Sequence, residues 1–130
     1  MNRPRTNRSF ALLAGLLLSL PAFSAPPPAA AREIDQLIAA LGSSGCEFQR
    51  NGTWYPSAKA QEHLRRKYDW LRERDKVANA EQFIERAGTQ SSMSGRAYSV
   101  RCPGKPVVNS AAWLRARLLE MRKANPSPAR

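Results

Sequence analysis

Two cysteines, Cys46 and Cys102, are the only thiols in this chain of 130 residues. A bridge between them would hold two distant segments side by side and would restrict every other feature of the fold. An even pair of cysteines in an oxidising compartment is most simply a structural disulfide. Redox-active pairs usually form a Cys-x-x-Cys motif, which this spacing does not match. We therefore predict a structural disulfide between Cys46 and Cys102.

The N-terminal segment predicts that oxidising compartment. Three arginines without any acidic residue precede an apolar stretch over residues 10–20, and Ala22-Phe23-Ser24 supplies small residues where a signal peptidase cleaves. We predict a secretory signal peptide over residues 1–24, with cleavage after Ala31 as the second choice. The expected location is therefore the periplasm of a Gram-negative bacterium. No apolar run approaches the roughly 18 residues of a membrane-spanning helix, so we expect no integral membrane segment in the exported chain.

Composition divides the rest of the chain into three parts. Residues 25–31 form a Pro/Ala-rich leader, which we expect to be flexible or polyproline-like with no core to bury. Residues 32–124 carry the apolar periodicity of a single globular domain, as the length also favours. Residues 125–130 contain two prolines and are predicted to be a disordered tail.

Apolar residues at helical spacing predict three or four helices. The first two cover about residues 32–42 and 58–75, and a shorter third helix ends at Gly88. Three N-terminal caps are predicted from side chains that accept backbone N–H groups. Asn79 with Gln82 resembles a capping box. The predicted capping residues are Ser57, Asn79 and Ser110.

Alternating apolar and polar residues predict about three strands. Residues 46–50 and 53–55 flank Asn51-Gly52, a dipeptide that strongly favours a two-residue hairpin turn. A third strand ends at Cys102. Because the predicted disulfide joins the start of the first strand to the end of the third, those two strands are expected to pair in antiparallel fashion. The predicted fold is a helix-dominated α+β domain on a short antiparallel sheet.

Several spaced motifs resemble a family of small exported proteobacterial proteins that is classed as a domain of unknown function. They include Ser44-Gly45-Cys46-x-Phe48-x-Arg50-Asn51-Gly52, Ala60-x-x-His63-Leu64-x-x-Lys67-Tyr68, Ala80-Glu81-x-Phe83-Ile84, Ser91-Ser92-x-Ser94-Gly95-x-x-Tyr98-x-Val100-x-Cys102 and Trp113-Leu114. The resemblance covers residues 33–122 and implies a compact periplasmic domain. It implies no activity, cofactor or catalytic residue.

The residue content excludes several functional classes. One histidine and two cysteines cannot build a Cys/His zinc site of the usual kind. No glycine-rich phosphate loop, haem-attachment motif or serine-hydrolase signature is present. We therefore predict no catalytic residue, metal or cofactor, and we favour a protein without enzymatic activity. A weaker alternative is a small hydrolase in which His63 activates Ser91, Ser92 or Ser94.

A candidate binding surface combines a polar loop, a hairpin and the edge of a helix. Small polar residues that precede a strand can present hydroxyl and backbone N–H groups to a partner. The alternative interpretation of these side chains is turn formation and core packing. The surface comprises Asn51, Trp54, Tyr55, His63, Lys67, Ser91, Ser92, Ser94, Gly95 and Tyr98.

Charge supplies a second functional hypothesis. The chain has 21 Lys and Arg against 10 Asp and Glu, for a net charge of +11. The predicted signal carries three of the arginines and no acid, so the remaining 18 basic and 10 acidic residues give +8. Such a surplus attracts polyanions. The sequence therefore predicts either a module that binds an envelope protein or glycan, or a basic polyanion binder.

Overall fold

The structure is a computed structural model that describes residues 25–126, together with Asn2, Pro4 and residues 14–17. Most of the predicted signal peptide and residues 127–130 of the predicted tail lie outside the described residues. The elements are α1 (Pro28–Gly42), β1 (Glu47–Arg50), β2 (Thr53–Tyr55), α2 (Ser57–Glu73), α3 (Ala80–Ala87), β3 (Ser99–Arg101), β4 (Val108–Asn109) and α4 (Ser110–Ala124). The predicted α+β fold, dominated by helices, is confirmed.

The strands form one antiparallel sheet in the order β2-β1-β3-β4. Asn51 and Gly52 connect β1 to β2 with φ angles of 49° and 82°, as a two-residue hairpin turn with two left-handed residues requires. The predicted pairing of the first and third strands is confirmed. The fourth strand was not predicted, because its two residues are too few to show a period of two.

The Cys46–Cys102 disulfide is also confirmed. Cys46 immediately precedes β1 and Cys102 immediately follows β3, so the bridge closes the end of this strand pair. The two Cα atoms lie 4.2 Å apart, and the bridged residues are 56 positions apart in the sequence. A link of that length removes much conformational freedom from the unfolded chain.

The core lies between the sheet and the helices. The helices α1 and α2 each bury four residues at helical spacing. Phe48 and Val100 project from the sheet into the same core. The buried residues of the two helices are Ile34, Leu37, Ile38, Leu41, Ala60, Leu64, Tyr68 and Leu71.

The first helix corrects the prediction for the leader. It begins at Pro28 instead of residue 32, so four of the seven leader residues are helical. Proline suits the first helical position because its missing N–H needs no partner there, and the three alanines that follow have the highest helix propensity. Pro26 is buried, so the leader also contributes to packing.

Two of the three predicted caps are wrong. Asn79 caps α3 by accepting the Gln82 N–H at 2.9 Å, as predicted. Ser57 and Ser110 are instead the first helical residues of α2 and α4. Ser57 donates its hydroxyl to the carbonyl of Cys46, which joins the start of α2 to β1. The Ser110 hydroxyl is buried without a hydrogen-bond partner among the described residues.

Candidate functional site

A four-residue cluster forms where the sheet meets α2. Arg50 ends β1, and Tyr98 immediately precedes β3 on the neighbouring segment. His63 and Lys67 are four residues apart on α2, so their side chains lie on one face of the helix. We call Arg50, His63, Lys67 and Tyr98 the basic cluster.

Hydrogen bonds connect the whole basic cluster. An Arg50 guanidinium nitrogen lies 2.8 Å from His63 Nδ1, and His63 Nε2 lies 3.0 Å from the Tyr98 hydroxyl oxygen. Lys67 Nζ donates to the same hydroxyl at 3.1 Å and to the Gln90 carbonyl at 3.0 Å. The cluster therefore joins β1, α2 and the segment before β3 through side chains.

The donors fix the tautomer of His63. A guanidinium can only donate, so His63 Nδ1 must accept from Arg50 and the ring proton of the neutral imidazole must sit on Nε2. That proton points to the Tyr98 oxygen, which accepts from both His63 and Lys67. Arg50 uses one of its five N–H donors within the cluster and Lys67 uses two of its three. The remaining donors are available to a ligand.

Burial and neighbouring positive charge disfavour protonation within the cluster. Desolvation, followed by the charges of Arg50, Lys67 and Arg66, lowers the pKa of His63 from 6.5 to about 4. Desolvation and the charge of Arg50 lower the pKa of Lys67 to about 8. At neutral pH the imidazole is therefore neutral, whereas the guanidinium and most of the ammonium population carry positive charge.

Within the described part of the chain, no carboxylate forms an ion pair with these cations. Among residues 25–126, the ion pairs involve neither Arg50, Arg66 nor Lys67. Positive groups that lie close together without a counter-ion raise the local potential and attract an anion. The arrangement is therefore suited to binding an oxyanion, which would accept the unused N–H donors.

Two adjoining pockets open beside the cluster. One is a small pocket of about 60 Å³ next to the hairpin, and the other is a groove of about 610 Å³ along α2. Both are lined by Arg50, His63 and Arg66. We call them the hairpin pocket and the α2 groove.

The structure joins the predicted loop to the predicted hairpin. The Ser94 hydroxyl donates to Asn51 Oδ1 at 2.6 Å, so the loop contacts the turn directly. Ser91 is buried and its hydroxyl accepts the backbone N–H groups of residues 93 and 94, which is turn formation. Gly95 has a φ of 72° that favours glycine, and Ser92 lines the α2 groove.

Trp54 lies away from the other predicted site residues. It pairs with Gln49 on the sheet face opposite to Phe48, and the Arg101 guanidinium covers its ring at 4.1 Å from the centroid. Tyr55 alternates onto the cluster side and lines the hairpin pocket. The predicted surface is therefore divided between the two faces of the sheet.

Arg50 and Arg66 are site residues that the sequence reasoning missed. Two patterns in the sequence point to them. Arg50 is two residues from the buried Phe48 and therefore shares its face. Arg66 follows His63 by three residues on α2, which is also helical spacing.

The contacts of His63 bear on the hydrolase alternative. Both ring nitrogens are occupied, by Arg50 and by Tyr98. No hydrogen bond joins His63 to Ser91, Ser92 or Ser94 within residues 25–126. A nucleophilic hydroxyl needs a base within hydrogen-bond distance, and in the described residues none of these three serines has His63 at that distance.

The described residues contain neither a metal-binding group nor a membrane-spanning helix. In residues 25–126 and the short described N-terminal pieces, no three His, Cys, Asp or Glu residues converge in a way that could hold a metal ion. Over the same part of the chain, no helix has the length and apolar content needed to span a bilayer.

Fold and site together define a small α+β domain with one disulfide and a basic cluster between sheet and helix. A family model described as "Family of unknown function (DUF5329)" matches residues 28–122, and the chain belongs to that family. The match begins at the first residue of α1 and ends within α4. Comparison with curated proteins and with solved structures gives no significant match.

Proposed function

We propose that this protein is a non-enzymatic binding module that takes up an anionic ligand at the basic cluster. One observation carries the proposal: Arg50, Arg66 and Lys67 surround a neutral imidazole without a carboxylate partner in the described chain. A fold gains nothing from concentrating unpaired positive charge, since like charges repel. An anionic ligand would remove that repulsion.

Rigidity of the cluster supports recognition of a defined ligand. The His63 ring is held from both nitrogens, and Lys67 is held by Gln90 and Tyr98. A donor that is already oriented loses less conformational freedom on binding than a mobile surface lysine does. The site would therefore bind an oxyanion more tightly than net charge alone predicts.

We also propose that the protein acts in the periplasm. The export pattern over residues 1–24 and the Cys46–Cys102 bridge support this location. The ligand would then be an anionic component of the cell envelope or its contents.

Titration with inorganic phosphate tests the binding proposal. The purified protein is titrated at pH 7 and fixed ionic strength, and the His63 ring signals are followed by NMR. Bound phosphate should shift these signals and raise the pKa of His63, because an anion favours the imidazolium form. Arg50→Gln should weaken binding at least about tenfold, as loss of a charge-assisted hydrogen bond typically does.

Arg117→Gln is the matched control for that experiment. Arg117 lies on α4, and its substitution changes net charge by the same amount. The control should bind phosphate like the wild type. Equal weakening by both substitutions would contradict a defined site.

A general polyanion binder is the second candidate, and the net charge of +8 that remains without the three signal arginines (18 basic and 10 acidic residues) favours it. Binding would then depend on counterion release and fall steeply with salt. The two candidates differ in one measurement. A defined oxyanion site predicts a large difference between the Arg50→Gln and Arg117→Gln variants at every salt concentration, whereas general charge attraction predicts equal losses.

A further inference from the structure

We infer that the ligand is an unsubstituted linear polyphosphate chain that lies along α2 and occupies both the hairpin pocket and the α2 groove. This inference rests on the proposed function, because it requires the basic cluster to bind an oxyanion. It adds the length of the ligand and the identity of its repeating group.

One face of α2 connects the two pockets. Lys59, His63, Arg66 and Trp70 are spaced by four, three and four residues, so they form a single stripe along the helix. At a rise of 1.5 Å per residue the stripe is roughly 16 Å long. A single phosphate ion is far shorter than this stripe, whereas a chain of several phosphates can follow it.

Positive charge continues through both pockets. Lys59 and Tyr55 line the hairpin pocket, and Lys67 and Arg86 line the α2 groove. Neither pocket has an acidic residue in its lining. Lys59 is paired with Glu62 at 3.4 Å, but this is an exposed ion pair of the weak kind. A row of cations is therefore better suited to a ligand with several anionic groups in a line than to a single anion.

The small hairpin pocket favours a bare phosphate group, because it has no room for a nucleoside, whereas the α2 groove of about 610 Å³ sets no such limit. A volume of about 60 Å³ in the hairpin pocket suits one tetrahedral oxyanion. Binding of a single-stranded nucleic acid normally requires free aromatic faces on which bases stack. Trp70 is 48% exposed, and the cations of Arg74 and Lys76 lie 4.2 Å and 5.2 Å from its ring centroid, where they would compete with a stacked base. The structure thus favours polyphosphate over nucleic acid.

Calorimetry with three probes tests the inference at fixed ionic strength. Orthophosphate, tripolyphosphate and a short oligothymidylate are titrated into the wild-type protein. Tripolyphosphate should bind about tenfold more tightly than orthophosphate, because linked groups reach the second pocket without a second loss of translational freedom. Oligothymidylate of the same charge should bind more weakly than tripolyphosphate.

Two variants locate the second subsite. Arg86→Ala, in the α2 groove, should remove most of the gain in affinity from chain length and leave orthophosphate binding in the hairpin pocket unchanged. Lys105→Ala, in the turn between β3 and β4, removes the same charge outside both pockets and should change neither affinity. Equal effects of the two substitutions on tripolyphosphate binding would overturn the inference.

The outcomes separate this inference from the proposed function. If orthophosphate binds at the basic cluster but tripolyphosphate binds no more tightly, the inference of a linear ligand is wrong, while the proposed anion site is supported. If oligothymidylate binds as tightly as tripolyphosphate, the proposed selectivity for unsubstituted phosphate is wrong. If neither phosphate probe binds, both proposals fail.

Discussion

Two arginines in this fold have opposite surroundings. Arg122 on α4 makes two hydrogen bonds of 2.8 Å to Glu33 and a further ion pair with Glu81. These contacts join α1, α3 and α4, and we call them the acidic cradle. Arg50 instead donates to a neutral imidazole beside Lys67. Two carboxylates therefore balance the Arg122 guanidinium, whereas the Arg50 guanidinium has no counter-ion among the residues that the structure describes.

The difference separates structural charge from charge that is available for binding. A bidentate carboxylate satisfies an arginine geometrically as well as electrically, so Arg122 has little left to offer a ligand. Arg50 retains four N–H donors beside two pockets. Both arginines contribute equally to the net charge, but their hydrogen-bond partners differ, and only Arg50 keeps most of its donors available for a ligand.

Removal of the disulfide should have the largest effect and should act unequally on the two regions. The Cys46→Ser/Cys102→Ser double variant is expected to lose about 4 kcal/mol of unfolding free energy, since its unfolded chain regains a long open loop. Amide hydrogen exchange should increase more in β1 and β3 than in α1 and α4, because the bridge closes the strand pair. A uniform increase in exchange over the strands and the helices would contradict this unequal effect. Urea unfolding measures the total loss of unfolding free energy.

Acid should destabilise the two regions in different pH ranges. The pKa of His63 falls from 6.5 in the unfolded chain to about 4 in the fold, so the unfolded state binds more protons between those values. Stability should therefore decrease as pH falls from about 6.5 to about 4. The hydrogen bond from Arg122 lowers the pKa of Glu81. Its contribution is present above the ordinary value of 4.5 and is lost as pH falls through the lowered pKa.

Urea unfolding at several pH values measures both effects. His63→Gln should flatten the pH dependence between about 6.5 and 4, and Glu81→Gln should flatten it only at lower pH. If His63→Gln leaves the slope above pH 4 unchanged, the imidazole is not kept neutral by its surroundings.

The sequence predicted local features of the fold more completely than the composition of the site. The Asn51-Gly52 turn and the Asn79 cap each depend on neighbouring residues, and both were found where expected. The pairing of β1 with β3 is a long-range feature, but the cysteines mark it directly. By contrast, Ser57 was predicted to be a cap, and its hydroxyl bonds to Cys46, a partner that only the folded chain brings near.

The site was predicted only in part because its residues come from three segments of the chain: β1, α2 and the segment before β3. His63, Lys67 and Tyr98 were named from the sequence and do form one cluster. Arg50 was missed because periodicity indicates which face of a strand a residue occupies but not which helix covers it. Trp54 was wrongly grouped with the residues of the basic cluster. Its aromatic character does not indicate which face of the sheet the side chain occupies.

Replacement of single arginines should have the smallest effect on stability and gives the most direct comparison. Arg122→Gln should destabilise the protein by up to about 1 kcal/mol, the usual contribution of exposed ion pairs, and less at high salt. Arg50→Gln removes a hydrogen bond to His63 but also relieves repulsion with Lys67 and Arg66. Its stability should therefore match or exceed that of Arg122→Gln at low salt.

Ligand affinity should show the reverse order for the same two variants. Arg122→Gln should bind phosphate like the wild type, because the acidic cradle already occupies its guanidinium. Arg50→Gln should be well folded and bind poorly. Urea unfolding measures the stability of both variants, and phosphate titration of the same samples measures their affinity. The opposite result would be a larger loss of stability in Arg50→Gln and a larger loss of phosphate affinity in Arg122→Gln. It would show that the charge available for binding is Arg122 on α4 and not Arg50.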